Sequence, residues 1–157
     1  MNSTIDLSNI LNNLYNGTYP TLGSGSGRRV YDLGDGTALK AAKNKKGYAQ
    51  NQVEAIISEM DASDLFAKTL FISPDNHFLI MEKADPITDF SYVRDYFHVK
   101  NNRELFQLSN FSYIPRKYNL LVTDLCRPAN WGILRNRPVI IDYGFTGRIR
   151  RKYYSIF

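Results

Sequence analysis

Asp124, Asn130 and Asp142 fall within LLVTDLCRPANWGILRNRPVIIDYGFTG, an otherwise largely apolar stretch from Leu120 to Gly147. Two kinds of chemistry use an acid, an amide and a second acid at such spacing. Magnesium prefers hard oxygen ligands and keeps several waters, so a metal-bound phosphate needs little more than one amide and one carboxylate from the protein. Asn130 and Asp142 supply those types, and Asp124 is then a spare carboxylate able to orient or deprotonate an attacking hydroxyl. The alternative is a pair of capping or turn residues, and for any one of the three alone that alternative stands.

Three further stretches bear on the choice. LGSGSGRRVY, from Leu22 to Tyr31, is a glycine-rich turn between two strands, where backbone N–H groups of Gly23, Ser24 and Gly25 could approach a phosphate; a flexible hairpin tip reads the same way. GTALKAAKN places Lys40 on a strand beside alanines and a leucine. Alternation turns Leu39 and Ala41 one way, Lys40 and Ala42 the other. An ammonium among small apolar side chains needs an anion, and Glu54 on the following helix is the natural one. Lys40 could instead snorkel from an edge strand, with Lys43 as its rival. HFLIMEKAD is an apolar strand that becomes charged at Glu82, either by emerging at the surface or by forming a hinge whose backbone hydrogen-bonds a planar ring. Turns explain each stretch singly; they explain all four in this order poorly.

Elements must hold these residues. Leu7, Ile10, Leu11 and Leu14 recur at helical spacing, which predicts a helix over residues 3–16, capped by Ser3 and ended by Gly17. Arg28 to Leu33, the turn Gly34-Asp35-Gly36 and Thr37 to Ala42 form a hairpin pattern. Val53, Ile56, Ile57 and Met60 mark the apolar face of a helix over 47–60. Strands are expected over 65–72 and 77–81 around Ser73-Pro74-Asp75-Asn76, and aromatic-rich helix over 87–111, broken near Asn101-Asn102. The short apolar runs 120–122 and 139–141 follow. The order predicts an α+β fold in two lobes.

The 157 residues suit one domain, and 43% hydrophobic with 22% charged residues suits a chain with a buried core. No uninterrupted apolar run reaches membrane-span length, and the N-terminus lacks a signal-peptide pattern. Cys126 is the sole cysteine, so an internal disulfide is excluded and a reducing cytoplasm is the expected location. A net charge of +5 favours an anionic partner; much of it lies in Lys40 to Lys46 and in Arg148 to Lys152, where a solvated surface is the plain alternative.

Together the four stretches resemble the protein kinase and aminoglycoside-phosphotransferase superfamily, from about Leu22 to Gly144. LGSGSGRRV resembles its nucleotide-covering loop, TALK the strand with the phosphate-binding lysine (Lys40), and NQVEAII the helix with its glutamate partner (Glu54). LIMEKA is similar to the gatekeeper and hinge, making Met81 the gatekeeper and Glu82 to Ala84 the adenine contacts. TDLCRPAN resembles the catalytic loop, with Asp124 as base and Asn130 as metal ligand, and VIIDYG the magnesium motif, with Asp142. The resemblance implies a minimal two-lobed kinase-like fold: a helix over 1–16, an N-lobe over 17–84 and a reduced C-lobe over 85–157. It implies ATP and Mg²⁺ as cofactors. The small size and spare C-terminus also resemble compact kinase-like proteins of bacteriophages, which would place the chain in a host cytoplasm.

The departures are specific. Gly27 comes one position earlier than the family's third glycine, and Asn130 lies one position further from Asp124 than usual, so a bulge must absorb a residue or Asn130 points elsewhere. Val122-Thr123 replaces a His-Arg pair, and Tyr143 replaces a phenylalanine. Only Phe145 to Phe157 follow Gly144, too few for an activation segment and peptide-binding helices. ATP binding is therefore the better supported expectation, protein phosphorylation the weaker. The competing expectation is an inactive kinase-like scaffold that binds an acidic or host protein; nucleic-acid binding by Arg148 to Tyr154 is a minor one.

Overall fold

The computed structural model describes residues 4–154. Its larger sheet has five antiparallel strands in the order β1-β2-β3-β5-β4: β1 Thr21–Ser24, β2 Arg28–Asp32, β3 Thr37–Ala42, β4 Thr69–Ile72 and β5 Phe78–Glu82. Three shorter strands form a second sheet, β6 Asp85–Pro86, β7 Trp131–Leu134 and β8 Arg137–Ile140. The fold is thus mixed α and β, with both sheets antiparallel.

Helix α1 (Leu7–Tyr15) lays Leu7, Ile10, Leu11 and Leu14 on one face of the larger sheet, against Leu39, Phe78 and Ile80. Its cap is Asp6, whose carboxylate accepts from the Asn9 N–H at 3.1 Å; the Ser3 expected there lies outside the described residues. Leu39 takes this apolar face, and Lys40, next along β3, points to the opposite one, as alternation requires.

Helix α2 (Lys45–Met60) covers that opposite face, capped by the Asn44 side chain on the Gly47 N–H. The apolar face expected of it is corrected. Ile57 is buried and Val53 packs against the core as expected, but Ile56 and Met60 are about half exposed, and the other inward positions are Lys46, Gly47, Asn51 and Glu54. A helix that buries charges has its hydrophobic periodicity displaced, because the core-facing positions go to the ions and amides that satisfy one another. Two glycines allow the approach. A Cβ on Gly47 would meet the Gly27 carbonyl oxygen at 2.1 Å, and one on Gly144 would meet that of Gln50 at 2.6 Å.

The remainder is looser in secondary structure and rich in aromatic packing. Helix 87–111 is also corrected: it reduces to α3 (Ser91–Tyr96) and α4 (Asn102–Leu105), with His98 at φ 58° between them. Phe90, Phe97, Phe106 and Phe111 pack edge-on or tilted around one another and Trp131, so these residues serve a core of rings rather than one long helix. Then come α5 (Ile114–Tyr118), α6 (Val122–Leu125) and α7 (Gly147–Tyr154). The run 120–122 is not a strand: Leu120 makes one bridge to Thr146 and Val122 opens α6. Likewise, of 65–72 only Thr69–Ile72 is strand. Leu65 to Ala67 instead join the two sheets, since the Ile140 N–H donates to the Leu65 carbonyl at 2.6 Å and the Ala67 N–H to the Ile140 carbonyl at 2.9 Å. Among the described residues, no helix is long and apolar enough to cross a membrane.

Candidate functional site

A cavity of about 670 Å³ opens beside the inner face of the larger sheet, below the glycine turn. Gly23, Ser24, Gly25, Lys40, Glu82, Ala84, Asp124, Asn130 and Asp142 all line it. Glu54 does not. It is wholly buried behind Lys40 and reaches the cavity only through its partners.

Lys40 donates to both Glu54 carboxylate oxygens at 2.9 Å and to the Ile141 carbonyl at 2.7 Å. The Lys40–Glu54 pair is therefore present, and Lys43 is no rival for it: Lys43 is exposed and braces the glycine turn through Ser24 Oγ and the Gly25 carbonyl. Sequence reasoning missed Arg28. Its guanidinium donates to Glu54 Oε1 and to Asp142 Oδ1, each at 2.8 Å, and to Asn51 Oδ1 at 3.2 Å. Arg28 is 6% exposed and Glu54 wholly buried, so this shared ion cluster is rooted in the interior and opens to the cavity only at the half-exposed Asp142. A signal for it existed. In the hairpin, Val30 pairs with Lys40 and Arg28 with Ala42, so alternation puts Arg28 on the same face as Lys40.

The electrostatics follow from burial. Desolvation alone would raise the Glu54 carboxyl, but Arg28 and Lys40 outweigh it and hold the group at about 2. Burial, seconded by Arg28, keeps the Lys40 ammonium below its ordinary value despite Glu54 and Asp142. For Arg28 burial pulls downward, and Glu54 and Asp142 more than offset it.

On the facing wall, α6 carries Asp124. The Trp131 indole N–H donates to the Leu125 carbonyl at 2.8 Å, which ties this short helix to β7. The extra residue before Asn130 is absorbed by a single 3₁₀ turn, Pro128–Asn130, and the Asn130 side-chain N–H donates back to the Asp124 carbonyl at 2.9 Å. Its amide oxygen is left as the atom for a ligand. Asp124 itself is partly buried; desolvation raises its carboxyl first, Asp142 adds to the rise, and Arg127 and Arg150 oppose it. Arg127 stands 3.8 Å from it and is mostly exposed.

The charged end of β5 supplies the third wall. The Glu82 and Lys83 N–H groups are already given to the carbonyls of Lys68 and Gly36, so toward a planar ring this segment can offer the Ala84 N–H and its carbonyls. Glu82's carboxylate faces outward to Arg135 at 3.4 Å. Tyr143 is buried; its hydroxyl donates to the Ala67 carbonyl at 2.6 Å and its N–H to Glu54. Near the glycine turn, Tyr154 of α7 hydrogen-bonds Ser26 at 2.7 Å and also contacts Lys46, which brings the C-terminal helix to the cavity rim.

The donor set suits a polyphosphate with a hard divalent ion: one half-exposed carboxylate (Asp142), one amide oxygen (Asn130) and room for phosphate oxygens. One atom dissents, because Oδ1 of Asp142 is already held by Arg28. Among the described residues no cluster of three or more His, Cys, Asp or Glu side chains forms a metal cage.

No protein-family model and no curated protein matches the chain. Among solved structures it is similar to the crystal structure of the Mycobacterium tuberculosis PknI kinase domain, at a TM-score of 0.46 and 18% identity, over 82% of this chain and 60% of that one. The chain therefore spans less than two thirds of that domain.

Proposed function

We propose that the chain is a minimal kinase-like phosphotransferase that binds ATP, with residues 17–84 and 85–157 as the two walls of its cleft. The observation that carries the reading is the convergence, on one cavity, of a glycine turn, Lys40 with its buried anion, Asp124, Asn130 and Asp142. Lys40 lends its positive charge to phosphate oxygens while Glu54 and the Ile141 carbonyl hold its N–H groups and fix its position. Ala84 offers backbone groups to the adenine edge. Asn130 and Asp142 would hold Mg²⁺, which when bound neutralises charge on the transferring phosphoryl group. Asp124 takes the proton of the attacking hydroxyl, a role helped by a carboxyl raised through partial burial. Any acceptor is part of the same proposal, as are a cytoplasmic setting and a bacteriophage source.

The test is release or transfer of the γ-phosphate of ATP in the presence of Mg²⁺ by the wild-type chain and by Asp124→Asn and Asp142→Asn. Transfer lost in both variants, with folding intact, supports the reading. A wild-type chain that binds ATP but never transfers its phosphate favours a second one, an inactive scaffold for an acidic or host protein. One observation speaks for that second reading: Arg28 sits on Asp142, the carboxylate a metal would need.

A further inference from the structure

The phosphate end of the cavity is crowded with cations. Arg28 and Lys40 are buried there, Lys46 is buried behind Ser26, and Lys43 braces Ser24 and Gly25. Against these stand Glu54 and Asp142, with Asp124 on the facing wall near enough to feel the charge of Asp142, and Glu54 is already shared by Lys40 and Arg28. Arg28 is not a loose side chain. Asn51 orients it, and Asn51 is fully buried and pinned in turn by its own donation to the Asn76 carbonyl at 2.9 Å. A guanidinium so fixed keeps its charge at any working pH and meets carboxylate or phosphate oxygens equally well.

A divalent ion approaching Asp142 finds one carboxylate oxygen already taken by a group that cannot leave without uncovering Glu54 and Asn51. A nucleotide polyphosphate finds the opposite: a preorganised positive wall that includes Arg28, which lines the cavity. We infer that Arg28 is the resident counter-ion of Asp142, so that the cavity binds the polyphosphate of a nucleotide without a divalent metal. The inference rests on the nucleotide reading of the cavity. It separates binding from transfer, leaving any need for Mg²⁺ to the transfer step.

The experiment is calorimetric titration of the full chain with ATP, once in excess EDTA and once in Mg²⁺. The two dissociation constants are expected to agree within about threefold. Arg28→Gln should weaken binding in EDTA by roughly tenfold or more, the scale of a lost charge-assisted hydrogen bond, whereas Arg28→Lys keeps much of it. Asp142→Asn, which releases Arg28 toward the phosphates, should bind ATP in EDTA at least as tightly as wild type. Should Arg28→Gln fail to fold, the wild-type pair of titrations and Asp142→Asn still decide. Wild-type binding that is more than about tenfold tighter with Mg²⁺ overturns the inference and leaves the nucleotide reading standing. Absence of ATP binding under both conditions overturns the nucleotide reading, and this inference with it.

Discussion

Glu54 and Asp124 are both carboxylates of the same cavity region, and the molecule holds them in opposite ways. Glu54 is wholly buried, shared between two cations and a backbone N–H, and its proton affinity is driven down to about 2. Asp124 is partly open, carried on a four-residue helix, has one mostly exposed arginine at 3.8 Å, and is pushed up by its desolvation. The first arrangement makes charge permanent and position rigid. The second leaves a carboxyl able to exchange a proton, which is what a base must do. Burial with redundant partners builds scaffold; partial burial with few partners builds reactivity.

The sharpest way to break the contrast is Glu54→Ala. It leaves Arg28 and Lys40 buried with only Asp142 between them, and should destabilise the fold by about 3–5 kcal/mol in chemical denaturation. A loss below 1 kcal/mol would mean that solvent reaches the cluster. Titration tests the same point without mutation. Because the folded-state value of Glu54 is depressed from its ordinary 4.5 to about 2, its contribution is fully present above about pH 4.5 and is lost as pH falls toward 2. Melting temperature followed downward through that window should decline, and the decline should shrink in Glu54→Gln.

On the other side, Asp124→Asn should leave melting temperature and ATP affinity near wild type while lowering phosphoryl transfer by roughly a hundredfold or more. An unfolded variant would mark the carboxylate as a structural cap and erase the contrast. The smallest effect belongs to Arg127→Ala. An exposed pair at that distance contributes less than about 1 kcal/mol to stability. Since Arg127 holds the Asp124 carboxyl down, its removal should move the acidic limb of the pH–rate profile upward by a fraction of a pH unit, and no movement would show that solvent screens the pair completely.

Legibility from sequence followed the same divide. A lysine among alanines demands an anion, so the Lys40–Glu54 pair could be read directly, as could the glycine turn and its hairpin. Arg28 escaped because, next to Arg29, it reads as surface charge until strand register is considered. The inward face of α2 escaped for a related reason: hydrophobic periodicity cannot find a helix side whose buried positions are Asn51 and Glu54. Residues 87–111 misled because rings packing around Trp131 produce apolar spacing without a continuous helix. Asn130 was legible as a type but not as a position, since the 3₁₀ turn that returns it to Asp124 is decided by the local backbone.

Ile140 gives its N–H to Leu65 and its carbonyl to Ala67, with Phe66 and Tyr143 stacked edge-on beside that bridge. The loop that leads into β4 therefore meets β8 along a seam of two main-chain bonds, one residue from the cavity-lining Ile141 and between segments distant in the chain. Such a seam is unfavourable to close early, because a long loop must be ordered before any contact rewards it. Once closed, it cannot open without exposing the aromatic core. The amide protons of Ile140 and Ala67 should then exchange with solvent only through global unfolding, while those around the glycine turn exchange by local fluctuation. The molecule would fold and unfold as one cooperative unit, its flexibility confined to the rim.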